Sequence, residues 1–68
     1  MALSARNQLT GKIKSIQLGD IVAHVTVKVG NNEIESIITR TSAEELKLKK
    51  GDAVRVVVKS TEVMIQKD

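Results

Sequence analysis

Residues 21–29 read Ile-Val-Ala-His-Val-Thr-Val-Lys-Val, and this alternation constrains the fold more than any other stretch of the chain. Ile21, Ala23, Val25, Val27 and Val29 take one side of a period-two pattern, and Val22, His24, Thr26 and Lys28 take the other. Successive side chains of a strand point to opposite faces, so the pattern specifies a half-buried β-strand. Gly30-Asn31-Asn32 follows as a turn, after which Ile34, Ser36 and Ile38 resume the alternation on a next strand. Upstream, Leu9 to Leu18 reads as a first strand that ends in a Gly19-Asp20 turn.

The period changes at Thr41-Ser42-Ala43-Glu44-Glu45-Leu46. A hydroxyl residue followed three positions later by Glu is a capping box, which predicts a short helix starting here. Gly51-Asp52 then leads into a strand from Ala53 to Lys59, and Glu62 to Gln66 reads as a last short strand. Three strands, a short helix and two strands is the order of an all-β, small five-stranded OB-like barrel, its one helix lying between strands three and four. Residues 1–68 are expected to form that single domain, with no linker, repeat or low-complexity segment.

The chain has 68 residues, no Cys and no Phe, Tyr or Trp, so Ile, Val and Leu must make the core without a disulfide or a zinc ribbon to support it. Val56-Val57-Val58 and Ile37-Ile38 are apolar on both faces of their strands, whereas a barrel of this size has one inside. The outer apolar side chains are therefore expected to be covered by further copies of the chain.

Two clusters carry the chemistry. Ser4-Ala5-Arg6-Asn7-Gln8-Leu9 and Lys59-Ser60-Thr61 each combine a cation with hydroxyl donors, and neither contains a carboxylate. A set made only of donors suits an anion whose surface atoms are all acceptors, which is a tetrahedral oxyanion. Each residue also has a plainer reading. Arg6 near a terminus is commonly a solvated side chain, Thr39 and Ser42 can finish a strand and cap a helix, and Lys59 can guard a sheet edge. His24 reads as a surface or interface residue, since a lone His without a second ligand makes a poor metal site.

Ser4-Ala5-Arg6-Asn7-Gln8-Leu9-Thr10-Gly11-Lys12-Ile13 at one end and Val58-Lys59-Ser60-Thr61-Glu62-Val63-Met64-Ile65 at the other closely resemble the molbindins, the small molybdate-binding Mop proteins. Ile37-Ile38-Thr39, Ser42-Ala43-Glu44-Glu45-Leu46 and Lys50-Gly51 extend the resemblance over essentially the whole chain. One departure is His24, at a position where relatives often carry an acidic residue. The resemblance implies molybdate or tungstate held between subunits of a homo-hexamer built as a trimer of dimers. It also implies a principal site of Ser4, Ala5 through its backbone amide, Arg6, Thr39, Ser42, Lys59 and Ser60, and further oxyanion near a threefold axis. Storage and homeostasis of the oxyanion is the implied function, with molybdate sensing through a protein partner as the alternative.

The chemistry of those residues agrees with such a ligand. Arg6 offers a planar fork, Lys59 a point charge, and each hydroxyl can rotate to donate. Charge-assisted hydrogen bonds contribute roughly 1.5–3 kcal/mol each. Four of them could offset the cost of association and reach about −8 kcal/mol, or micromolar binding. Monohydrogen phosphate carries an O–H that needs an acceptor, so a set containing only donors disfavours it.

Other functions fit poorly. OB folds that bind single-stranded nucleic acid stack bases on aromatic side chains, and this chain has none; no nucleic-acid partner is expected from its net charge of +3. No enzyme is expected either, because Ser4 and Ser60 have cations rather than a general base beside them in the sequence. Neither a resident metal nor a cofactor is called for, since molybdenum would enter only as its oxyanion. Residues 1–12 are polar and no apolar run approaches a membrane span, so the expectation is a cytoplasmic protein without a membrane partner.

Overall fold

The computed structural model of the chain describes residues 5–68. Strand β1 runs Asn7–Leu18, β2 Val22–Val29 and β3 Asn32–Thr39; helix α1 covers Arg40–Glu45 and β4 covers Ala53–Val58. All three pairings are antiparallel, and the sheet order is β3-β2-β1-β4. The twelve residues of β1 serve two partners in succession. Asn7 to Lys12 pair with Val58 to Ala53, and Lys12 to Leu18 pair with Lys28 to Ala23.

Two local devices make this possible. At Gly11, a Cβ would lie 2.5 Å from the Lys28 carbonyl oxygen and 2.9 Å from methyl groups of both Val27 and Val29. Only a residue without a side chain lets β1 cross β2 this closely. The second device is a register shift between Ile13 and Ser15, which makes Lys14 the extra residue of a β-bulge. Ile13 and Ile16 are three apart and would fall on opposite faces of a regular strand. The bulge resets the alternation, so both join the core.

That core centres on Ile13, Val25 and Val27, surrounded by half-buried Ile16, Val29, Ile38, Leu48, Val54 and Val56. Ala23 is fully buried, and Ala43 is the buried residue of α1. Small side chains there let the helix sit close to the sheet. The alternation read from residues 22–29 holds, whereas Ile21 lies before β2 and is 78% exposed. The β2–β3 turn is shorter than Gly30-Asn31-Asn32, because Asn32 already pairs with Val29. Positive φ at Gly30 and not at Asn31 is the type II′ pattern for a two-residue hairpin.

Two expectations change. Within one chain the sheet has four strands and is open, with β3 and β4 at its edges. Glu62 to Gln66 do not add a fifth strand; Ser60–Glu62 form a 3₁₀ turn and the residues after it have no ladder partner. A strand exists only where another supplies its hydrogen bonds, and the tail reaches neither edge. The capping box at Thr41 is also displaced. Thr39 is the N-cap, its Oγ1 accepting from the Ser42 amide, because β3 runs directly into the helix. The helix ends in a Schellman turn, with the Leu48 amide donating to Ala43 and the Lys47 amide to Glu44. Lys47 occupies the left-handed position usually held by Gly, at φ 52.

Candidate functional site

The β1–β4 ladder places the two donor clusters side by side. It ends at Asn7↔Val58, so Arg6 and Lys59 are the next residues as the two backbones leave the sheet, followed by Ala5 and Ser60. Antiparallel pairing thus joins residues from opposite ends of the sequence. Ser4 lies outside the described residues. Arg6, Lys59 and Ser60 are exposed and Ala5 is half-buried. Beyond the ladder the backbone closes a 3₁₀ turn, the Glu62 amide donating to the Lys59 carbonyl at 2.9 Å. The turn uses backbone carbonyls and leaves the Lys59 ammonium and Ser60 hydroxyl facing solvent.

Ion pairs among the described residues join Lys14 to Glu33 and Arg40 to Glu44, His24 contacts Glu35, and none of these carboxylates engages Arg6 or Lys59. The cluster is therefore two cations and a hydroxyl with their donors uncommitted to those acids. This arrangement can bind an anion.

Thr39 and Ser42 form a second group. The Thr39 hydroxyl accepts from the Ser42 amide at 3.0 Å and donates to Ser42 Oγ at 2.8 Å. Its proton is committed, and it holds the Ser42 oxygen so that the Ser42 O–H can donate outward. Thr39 thus positions, and Ser42 supplies the available donor. The two groups sit toward opposite ends of the sheet: Thr39 pairs with Val22 near the Leu18 end of β1, whereas Arg6 precedes Asn7 at its start. Fully extended, twelve strand residues would span at most about 36 Å at roughly 3.3 Å per step, and the two groups flank opposite ends of that strand. One chain brings Ala5, Arg6, Lys59 and Ser60 together, and Thr39 with Ser42, but does not unite the two sets.

Arg40 is a cation beside Thr39 and Ser42 that the sequence reading did not single out. Its Nη1 donates to the Gly19 carbonyl at 3.2 Å and its Nε lies 3.6 Å from Glu44, so it ties α1 to the β1–β2 turn. Its place between two hydroxyl residues at a strand–helix junction was the available signal. His24 projects from the outer sheet face, Nε2 lying 3.0 Å from a Glu35 carboxylate oxygen, as a surface residue would. Among the described residues no group of three or more His, Asp or Glu side chains could hold a metal ion, and no helix is long and apolar enough to cross a membrane.

Comparison with known proteins adds an independent line. A model of the TOBE domain matches residues 3–65. Molybdenum-pterin-binding protein 1 of Clostridium pasteurianum is 48% identical over 66 residues, which is 96% of this chain and 97% of that protein. The solved structure of a molybdate-binding protein from Sporomusa ovata superposes with a TM-score of 0.95 at 34% identity, covering 98% of this chain and 100% of that one. MopII from Clostridium pasteurianum superposes with a TM-score of 0.90 at 46% identity, covering 97% and 100%.

Proposed function

We propose, given that this chain belongs to the TOBE-domain family and within it to the Mop proteins, that it binds molybdate as an intact tetrahedral dianion and holds it in store. One observation carries the reading: the β1–β4 ladder delivers Arg6 and Lys59 to one place with Ser60, a donor set apart from the paired carboxylates. Arg6 forks onto two oxygens, Lys59 neutralises the remaining charge, and Ser60 and the Ala5 amide donate to the rest, with Ser4 as a further donor. Tungstate has the same charge and shape and is bound in the same way. Storage suits a site whose groups hold an oxyanion and do not attack it.

Ser42, positioned by Thr39, reaches the same ligand from another copy, because the two sets flank opposite ends of β1 within one chain. The assembly is a hexamer built as a trimer of dimers. Support for association comes from the outward-facing Val57 and Ile37 and from a tail whose Met64 and Ile65 are 94% and 89% exposed. Val63 is already extended, and residues 62–66 complete the fifth strand and close the barrel when copies assemble.

Native mass spectrometry with molybdate, and with sulfate as control, tests this. The expected result is a hexamer that takes up discrete molybdate adducts and ignores sulfate, together with an Arg6→Ala hexamer lacking those adducts. A monomer, equal uptake of sulfate, or full retention of adducts in Arg6→Ala would each overturn the site as described.

A further inference from the structure

The outer face of the sheet carries a second concentration of cations, remote from Thr39 and Ser42 and separate from Arg6 and Lys59. Lys12 of β1 and Lys28 of β2 are direct cross-strand partners. Like charges directly opposite each other destabilise a sheet, so this pair has a cost in the unliganded chain. One shared carboxylate offsets part of it. Lys12 faces Ala53 on its other side. Lys28 faces Glu33, but Glu33 is bonded to Lys14 at 2.6 Å; Lys14 is the larger influence holding that carboxyl below its ordinary range and Lys28 the smaller, so one carboxylate serves two lysines and none faces Lys12 in the ladder.

Arg55 adds a third cation. It pairs with Thr10 and so lies diagonally from Lys12 on the same face. Its Nη1 donates to the neutral Gln8 Oε1 at 3.2 Å, which fixes the side chain without cancelling its charge. Gly11, Gly30 and Ala53 line the ground between these side chains, leaving an open depression of about 390 Å³ bounded by Thr10, Lys12 and Lys28. A neighbouring hollow bordered by Thr10, Ala53 and Arg55 continues it. The exposed apolar residues Val22 and Ile37 lie toward the other end of β2, whereas Val57 lies two residues beyond Arg55 on the same face of β4 and borders this ground.

We propose that this depression is a second anion site, for a phosphate dianion either free or carried on an organic phosphomonoester. Lys12 and Lys28 flank the anion as point charges, with Arg55 at the edge, and binding relieves the repulsion between the two lysines. The Thr10 hydroxyl can accept as well as donate, so the O–H of monohydrogen phosphate has a partner here. The openness of the depression leaves room for an organic group on the phosphate.

Backbone amide NMR titrations of the full chain with inorganic phosphate, and separately with glycerol phosphate, test the proposal. Saturable shifts centred on Thr10, Lys12, Lys28 and Ala53 are expected, unchanged in Arg6→Ala. That invariance separates this site from the molybdate site. Lys12→Gln and Lys28→Gln should each weaken binding at least tenfold and raise the Tm of the ligand-free protein. Lys50→Gln, which removes a cation of the α1–β4 loop outside the depression, should leave binding within twofold. Tighter binding of glycerol phosphate assigns the site to an organic phosphoester, and equal binding assigns it to the free ion. Shifts that do not saturate, that centre on Arg6 and Lys59, or that persist with unchanged affinity in both lysine variants would overturn the proposal.

Discussion

Gly11→Ala is the sharpest probe of the fold, because its effect follows from three distances. The new methyl carbon would meet the Lys28 carbonyl oxygen at 2.5 Å and methyl carbons of Val27 and Val29 at 2.9 Å. The valines could rotate, but the carbonyl belongs to the β2 backbone and moves only if the sheet does. Overpacking of this kind costs typically 1–3 kcal/mol, and contact with backbone places it in the upper part of that range. Replacing Gly by Ala also restricts the unfolded chain, which offsets about 0.4–1 kcal/mol. The net loss is then about 1–2 kcal/mol, a large share of the roughly 3–10 kcal/mol available to a domain of this length. For so small a domain it lowers Tm by about 4–16 °C. Thermal unfolding followed by circular dichroism, at one fixed protein concentration so that association does not shift the midpoint, measures it. Gly11→Ser should be worse than Gly11→Ala, since size is the problem. At Gly30 there is open space and φ is +61°, so the Ala and Ser variants there should cost alike. An unchanged or raised Tm in Gly11→Ala would refute the reading of Gly11 as the point of close approach.

Three further outcomes are expected. Lys47→Gly should raise stability by about 0.5–1 kcal/mol, because removing the Cβ at φ 52 outweighs the added freedom of the unfolded chain; a lower Tm would contradict this. Thr39→Ala loses the helix cap and should cost about 1 kcal/mol, whereas Ser42→Ala should leave Tm nearly unchanged yet weaken molybdate binding; equal effects on both readouts would show that their roles are not divided. Lys14 holds the Glu33 carboxyl below its ordinary 4.5, first through their hydrogen bond and then through its charge. Folding therefore weakens proton binding at Glu33, and the resulting stabilisation is present above pH 4.5 and fades as pH falls through the lowered value. Lys14→Met should raise the Glu33 titration toward its ordinary range, leaving only the smaller lowering by Lys28, and remove most of that acid-sensitive share, as NMR of the Glu33 carboxyl carbon would report; an unmoved titration would exclude the pairing in solution.

Much of this molecule is written locally in its residues. The alternation from Val22 to Val29 determines which side chains enter the core, and the change of period near Ser42 determines that a helix interrupts the strands. Gly30-Asn31 determines a tight hairpin. These are properties of neighbouring residues, set by strand geometry and turn dihedrals before any distant contact forms. The Arg6 and Lys59 clusters are likewise visible as residue types. Their meeting, by contrast, depends on the β1–β4 register, and a one-residue slip would turn every side chain of β4 to the other face. The Lys14 bulge belongs to the same class, since Ile13 and Ile16 share a face only once β2 fixes where the extra residue goes. Thr39 took the cap from Thr41 because β3 feeds straight into α1. Glu62 to Gln66 have the composition of a strand but no edge to pair with inside one chain. Composition and period choose the elements; pairing between distant segments, which tertiary structure alone supplies, decides what those elements bring together.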